Sequence, residues 1–193
     1  MSTISKAIIT EENHPIMQGD VFKNVKYSYI DSEDDSGVNI VEFEFPLAVI
    51  ISQACDSIEM EKIIKEKKGK PTKFMPSILL CPIYDKTLAK KGDHLVDAFE
   101  ELGLLLDKED VYHSDDFKVA VRDWHYRFHS LKVVVNGKDA IYDAIIDFKH
   151  YFTVPMSYLV INKSNRLFHL DDLYSEQLSL KFATYLSRVA IPD

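Results

Sequence analysis

Apolar and polar positions alternate through much of the first half of the chain and predict three strands. In residues 16–30, the apolar or aromatic side chains fall on alternate positions, at Val21, Val25, Tyr27 and Tyr29. Gly19 allows a tight turn into this strand. Residues 38–52 alternate at first and then become continuously apolar, which is typical of a strand running from an edge into a core. Pro46 predicts a bend between two strands there. Residues 74–84 form a further buried strand.

The segments between these strands are polar and predict solvated structure. Residues before 16 read as a polar tail. The acidic residues 31–37 predict a hairpin loop, because their charges resist burial. Residues 59–70 are charged and repetitive, so Glu59, Glu61 and the following lysines are expected on a solvated excursion closed by Gly69 and Pro71.

The second half of the chain predicts a helical insertion, further strands and a closing helix. Residues 85–110 have near-helical apolar spacing, with Gly92-Asp93 splitting the segment into two helices. Residues 117–121, 126–135 and 140–154 return to a strand pattern, and Asn136-Gly137 predicts a hairpin. Residues 171–190 form a helix capped by Asp171 or Asp172. The apolar face of this helix is predicted to carry Leu173, Leu178, Leu180, Phe182, Tyr185, Leu186 and Val189. The simplest fold class is α+β in a single domain spanning residues 1–193.

Charge and composition narrow the functional classes. The formal net charge of −8 disfavours broad, non-specific binding of nucleic acid. The start of the chain has no apolar core of signal-peptide length, and the longest apolar run near the N-terminal half is too short to span a membrane. Cys55 and Cys81 are therefore expected to be reduced thiols in a cytoplasmic protein.

Three short motifs resemble the PemK/MazF-like family. They are QGDVF at 18–22, PLAVIIS at 46–52 and SILLCPI at 77–83. The resemblance covers roughly the first 85 residues and implies a small SH3-like β-barrel, whose strands here would be residues 16–84 and 117–156. Family members include ribonuclease toxins of toxin–antitoxin pairs. The family's catalytic residues do not carry over, because Phe45 stands where the family has Arg, and Tyr84-Asp85 where it has Thr.

Two polar stretches supply the candidate site. Ser52 to Asp56 directly follows a buried strand, where polar groups collect at a rim. Cys55 is either a nucleophile that needs a base from His125, His129 or His150, or a small side chain filling a gap. Arg122 to His129 mixes basic and aromatic groups, and is either a patch for RNA phosphate or an acidic partner, or an amphipathic strand with a wet face. The candidate site residues are Ser52, Gln53, Cys55, Asp56, Arg122, Arg127 and His129.

A second group of residues is predicted to be structural. Gln18, Gly19 and Asp20 are expected to form a turn in which Asp20 bonds backbone N–H groups. Arg188 lies among apolar positions of the last helix, and is expected to pair with Asp20 or Asp56 and dock that helix on the barrel. His150 has no partner at metal-ligand spacing, so neither a metal nor a cofactor is predicted.

These observations favour a protein that acts by binding. The resemblance implies an accessory protein of a bacterial conflict system, either phage-defence or toxin–antitoxin-like, that acts through a polar barrel rim. The expected partner is a protein, with RNA and a second copy of the chain left open and no membrane involved. The alternative is a re-tooled RNA endonuclease in which Arg122, Arg127 or His129 replaces the missing family residues.

Overall fold

A computed structural model describes residues 4–8, 13–35, 37–105, 126–135 and 138–187. These residues form a mixed α+β structure of eight strands and five α-helices. The strands are β1 (Ile4–Ile8), β2 (Asp20–Asp34), β3 (Gly37–Ile50), β4 (Ser77–Asp85), β5 (Phe128–Val135), β6 (Lys138–Asp147), β7 (Phe152–Pro155) and β8 (Arg166–Leu170). The helices are α1 (Ala54–Glu66), α2 (Lys86–Lys91), α3 (Val96–Glu101), α4 (Met156–Ile161) and α5 (Asp172–Leu186). The α+β class is therefore confirmed.

All eight strands belong to one sheet. Their order is β3-β2-β8-β1-β5-β6-β4-β7, and β3 also pairs with β4. Every pairing is antiparallel except that of β1 with β5. The prediction of a polar tail before residue 16 is wrong, because β1 fills the position between β5 and β8 and satisfies the backbone groups of both.

The hairpin of β2 and β3 is longer than the sequence pattern indicates. Its strands run through the acidic segment to the pair Asp34–Gly37, so the predicted loop is only a tight turn. Pro46 does not end β3, which is continuous from Gly37 to Ile50. It does interrupt the ladder with β2, because the opposite residue, Asn24, has a left-handed φ of 53° and the pairing omits these two residues.

Two apolar clusters lie on the two faces of the sheet. Val49 contributes to one cluster, whereas its neighbours Ala48 and Ile50 contribute to the other, as the alternation of a strand requires. Leu178 and Phe182 of α5 cover the first cluster. Helices α1 and α4 cover the second through Met60, Met156 and Leu159.

The helices agree only in part with the sequence pattern. The split at Gly92 is confirmed, since this residue has φ of 76° and ends α2. Asp171 caps α5 by accepting the N–H of Tyr174 at 2.9 Å, also as predicted. The predicted apolar face of α5 is partly wrong, because Leu173, Leu180 and Leu186 are exposed. Val189 lies outside the described residues. None of the described helices is long and apolar enough to cross a membrane.

The prediction of a solvated segment at residues 59–70 is confirmed for residues 65–70, which are exposed, but is wrong for Glu61 in helix α1. Glu61 is only 2% exposed. Its carboxylate accepts the Ile16 N–H at 2.5 Å and pairs with Lys65 and Lys163, each at 2.7 Å. Burial alone would raise the pKa of Glu61, but these hydrogen bonds lower it. Glu61 thus ties α1 to the N-terminal segment and to the turn after α4.

Candidate functional site

A groove opens where β4 leaves β3. The two strands pair over Ala48–Pro82, Val49–Cys81 and Ile50–Leu80, and β4 then turns to pair with β6 from Ile83 onward. Helices α2 and α3 follow β4 and form the opposite wall. The resulting β3 groove, bounded by residues 42–47 of β3, 83–85 of β4 and residues 88–101, encloses about 650 Å³. This volume is in the range of small-ligand and peptide sites.

The β3 groove has an apolar interior and an acidic rim. Phe43, Phe45 and Leu47 of β3 line it together with Leu88 and Leu95 from the helical segment. Its acidic lining residues are Glu42, Glu44, Asp85, Asp93, Asp97 and Glu101. Among the described residues that line it, none is Lys or Arg. The β3 groove therefore carries a negative field that attracts cations and repels phosphate.

Two of these carboxylates already have partners. Asp85 caps α2 by accepting the N–H groups of Thr87 and Leu88 at 2.8 and 3.0 Å. Glu42 pairs with Lys26 at 3.0 Å, but both side chains are half exposed, so the pair contributes little to stability. Asp97 and Glu101 lie one turn apart on the outer wall of the groove, on exposed positions of α3.

Tyr84 and His94 line the β3 groove, and His150 lies behind them against Tyr84. Tyr84 contacts the ring of His94 edge-on, with centroids 4.6 Å apart, and its Oη lies 3.1 Å from Nδ1 of His150. Burial, followed by the neighbouring His150, lowers the pKa of His94 to about 4. Burial also lowers the pKa of His150, against the opposing charge of Asp147. Both imidazoles are thus neutral at neutral pH, so they do not offset the acidic rim.

Arg127 is part of this cluster rather than of an open basic patch. Its guanidinium binds the carboxylate of Asp147 in a bidentate pair, with Nε–Oδ1 of 2.7 Å and Nη2–Oδ2 of 2.5 Å. Asp147 is 1% exposed, and its Oδ2 also lies 3.5 Å from Nδ1 of His150. The negative charge of Asp147 offsets the attraction of Arg127 for an RNA phosphate, and its two hydrogen bonds hold the guanidinium in place.

His129 also differs from its predicted role. Phe128, His129 and Ser130 are all buried, so β5 has no wet polar face at this point and the amphipathic interpretation is wrong. His129 lies against the rings of Phe148 and Tyr174, and Lys181 of α5 approaches its Nδ1 to 3.2 Å. Arg122 and His125 lie outside the described residues.

The stretch from Ser52 to Asp56 is built as a helix start. Ser52 accepts the Leu79 N–H through Oγ at 2.9 Å, which joins the end of β3 to β4. Gln53 precedes α1 and is exposed, as are Cys55 and Asp56 in its first turn. The gap-filling interpretation of Cys55 is therefore wrong. Its sulfur lies near Gln53 and Asp56, at 3.9 and 3.8 Å, so the polar atoms beside it are not bases that would activate a thiol.

Both cysteines are free, as predicted. Cys81 lies in the core, where burial raises the pKa of its thiol well above the usual value. Among the described residues, no group of three or more His, Cys, Asp or Glu side chains is placed to hold a metal ion.

The turn at Gln18, Gly19 and Asp20 has its predicted structure and has further partners in β8 and α5. Asp20 Oδ2 accepts the Met17 N–H at 3.0 Å, and Gly19 has φ of 87°. Asp20 is fully buried and pairs with Arg166 and His169 of β8, each at 3.1 Å. Gln18 donates to the Ser175 carbonyl at 3.0 Å and so docks α5. Arg188 lies outside the described residues.

Sequence patterns miss most of the β3 groove. The acidic residues of its rim are spread over β3, β4 and two short helices, so no local motif brings them together. Pro46 is the one sequence feature that indicated the groove: proline lacks a backbone N–H, so within sheets it is found mainly on edge strands. It lies here in β3 without ending the strand.

The fold and site together describe a mixed α+β protein with a groove beside β3 that has apolar lining residues and an acidic rim. Comparisons with protein-family models, with curated proteins and with solved structures gave no match.

Proposed function

We propose that this chain is a binding protein that holds a Lys- or Arg-rich segment of a partner protein in the β3 groove. The observation that carries this proposal is the pairing of an apolar floor with a rim of carboxylates in one cleft of about 650 Å³. Apolar contacts supply affinity in such a site, and the complementary charge supplies specificity and a fast encounter.

The nuclease alternative has less support. An RNA strand needs a positively charged path for its phosphates, whereas the β3 groove is lined by carboxylates. Arg127, one of the three residues expected to replace the family's catalytic groups, is held by Asp147, and His129 is buried. Neutral His94, which lines the groove, and neutral His150 behind Tyr84 are the one feature that favours acid–base chemistry.

The finer fold assignment is part of this proposal. Since β3 pairs with both β2 and β4, the succession of pairings β3-β2-β8-β1-β5-β6-β4 returns to β3. This supports a sheet closed into an SH3-like barrel, with β7 attached outside the ring on β4. The resemblance to the PemK/MazF-like family supports an accessory role in a phage-defence or toxin–antitoxin-like system, with the β3 groove taking the place of the polar rim.

Fluorescence anisotropy with labelled peptides tests the proposed function. A short peptide that alternates Lys or Arg with apolar residues should bind, whereas the same peptide with Glu in place of each cation should not. The double variant Asp97→Asn, Glu101→Gln should weaken binding about 2- to 30-fold, since each of the two rim charges contributes on the order of 0.2–1 kcal/mol. Raising the salt concentration should weaken it further.

The matched control removes two charges far from the groove. The double variant Asp31→Asn, Glu33→Gln changes the exposed tip of the β2–β3 hairpin and should leave the affinity unchanged. Equal losses in both double variants, or failure of the basic peptide to bind, would contradict the proposal. Cleavage of labelled RNA that is lost in Arg127→Ala would favour the nuclease alternative.

A further inference from the structure

We propose that the partner of the β3 groove is a second copy of this chain, which places its exposed lysine-rich loop in the groove. This lysine loop, residues 65–74, lies between the last turn of α1 and the start of β4. The inference rests on the proposed function and names the protein that supplies the basic segment. Copies of the chain then associate through the same site that binds a basic peptide.

The lysine loop holds the densest run of positive charge in the chain. Five of its ten residues are lysines and one is a glutamate, which gives a formal charge of +4 in a chain whose net charge is −8. All ten residues are exposed. Lys65 pairs with the buried Glu61 at 2.7 Å, and the other four lysines lie beyond the end of α1. This charge is opposite to that of the six carboxylates that line the β3 groove.

Phe74 gives the lysine loop an apolar side chain to bury. It is 60% exposed, three residues before β4 begins. A phenylalanine ring that packs fully buries on the order of 150–250 Å², and the groove has the rings of Phe43 and Phe45 among its lining residues. Aromatic side chains are enriched in the buried centres of protein interfaces. One exposed segment thus combines the cations and the apolar group that the β3 groove accepts.

Hydrogen bonds shape the lysine loop before it binds. Residues 71–73 form a turn of 3₁₀-helix, in which the Phe74 N–H donates to the Pro71 carbonyl at 3.2 Å. The Met75 N–H donates to Sδ of Met60 at 3.4 Å, which ties the end of the loop to α1. A segment already held in one conformation loses little entropy on binding, so more of its contact energy appears as affinity.

The loop and the groove of one molecule are separate surfaces. None of residues 65–74 is among the described residues that line the groove, and all of them are exposed. The loop that fills a groove therefore comes from another copy. Each copy carries one loop and one groove, so two copies can make the contact twice around a two-fold axis, the commonest symmetry of homo-oligomers. The net charge of −8 opposes unspecific contact between copies, so association depends on this local match.

Sedimentation velocity on the unaltered protein and a loop variant tests the inference. The unaltered protein should self-associate as its concentration rises toward about 1 mM, the weak limit of specific binding. The variant Lys67→Glu, Lys68→Glu, Lys70→Glu changes the formal charge of the loop from +4 to −2 and sets it against an acidic groove. Like charges in contact oppose association strongly, so self-association should weaken at least about tenfold.

A groove variant completes a charge exchange. It replaces four exposed rim residues by lysine, namely Glu42, Glu44, Asp97 and Glu101. Its positive rim repels the unaltered lysine loop, so this variant alone should also be monomeric. An equimolar mixture of the loop and groove variants has opposite charges at both contacts and should associate again. If both variants unfold cooperatively but do not associate when mixed, the inference is overturned.

A control and a competition complete the test. Asp31→Lys, Glu33→Lys reverses two charges at the tip of the β2–β3 hairpin and should leave self-association unchanged. An excess of the basic–apolar peptide that tests the proposed function should separate the copies, because both ligands need the same groove.

The outcomes separate the two proposals. Self-association that persists when the basic–apolar peptide saturates the groove, or a chain that stays monomeric while this peptide binds, would overturn the inference and leave the proposed function standing. Peptide binding measured on the loop variant, whose groove is intact and unoccupied by a loop, isolates the proposed function. Failure of the peptide to bind there would overturn the proposed function itself.

Discussion

Replacing Asp20 by Asn removes a buried charge on which two cationic side chains depend. Asp20 is fully buried and joins the start of β2 to β8 through Arg166, whose side chain is 2% exposed, and through His169. Asn has nearly the same size and can still accept the Met17 N–H, so the substitution isolates the charge. It leaves the guanidinium of Arg166 buried beside a neutral group.

The expected loss of stability is large for a substitution that replaces only one carboxylate oxygen by an amide NH2 group. Breaking a buried ion pair by neutralising one partner costs about 3–5 kcal/mol, because the remaining charge stays uncompensated. For a chain of this size, that corresponds to a fall of about 6–20 °C in the unfolding temperature. Asp172→Asn is the matched control, since the Asp172 side chain is 85% exposed and lies 3.4 Å from the same histidine. Its cost should stay below about 1 kcal/mol.

Urea unfolding across a pH series measures both the loss and its cause. Burial acts to lower the pKa of His169, but Asp20 and then Asp172 outweigh burial and raise it. The contribution of His169 to the free energy of unfolding is therefore complete below about pH 6.5, the usual histidine value, and is lost as pH rises through the higher folded-state pKa. This gradient should flatten in Asp20→Asn.

The stabilising role of the buried Asp20 charge would be refuted if Asp20→Asn and Asp172→Asn were equally stable, with unchanged urea m-values. The same conclusion would follow from a pH gradient that persists in Asp20→Asn, because the raised pKa of His169 would then have another source.

Three further predictions concern single sites. Thiol titration of the native protein should modify Cys55 rapidly and leave Cys81 unmodified, since the latter is buried and its pKa is raised; equal rates would be contradictory. Gly19→Ala should cost more in thermal unfolding than Gly103→Ala: both have positive φ, but only the Cβ at Gly19 would meet α5, at 2.7 Å. NMR should show His94 titrating near pH 4, so the free energy of unfolding should fall as pH drops from about 6.5 toward 4; a midpoint near 6.5 would be inconsistent.

Local patterns predicted elements whose faces differ clearly in polarity. The strands at 38–52 and 74–84 and the helix after Asp171 were recognised, because alternation and capping are local signals. Pro46 misled the prediction because its effect depends on Asn24 of another strand. Helix α1 was missed because six of its 13 residues are charged, while Glu61 is stabilised by residues 45 and 102 positions away.

The candidate site required tertiary contacts that no spacing reveals. Arg127 looked available in sequence, but Asp147, 20 residues further on, binds it. The β3 groove begins where the pairing of β3 with β4 ends at Ala48–Pro82, a boundary that depends on long-range contacts. The single strand expected at 140–154 instead breaks after Asp147, where residues 148–150 form a turn of 3₁₀-helix that places His150 beside Tyr84.

Residue-resolved amide hydrogen exchange on β3, with and without the basic–apolar peptide, tests the central claim most directly. The N–H groups of Glu42 and Glu44 should exchange faster than that of Phe45 in the free protein, because the Lys26 N–H, which lies opposite Glu44, donates to Tyr158 and so points away from β3. On binding, the amides of the β3 residues that line the groove should become protected, whereas those near the tip of the β2–β3 hairpin should change little. Exchange rates in β3 that do not respond to the peptide would contradict the β3 groove as the binding site.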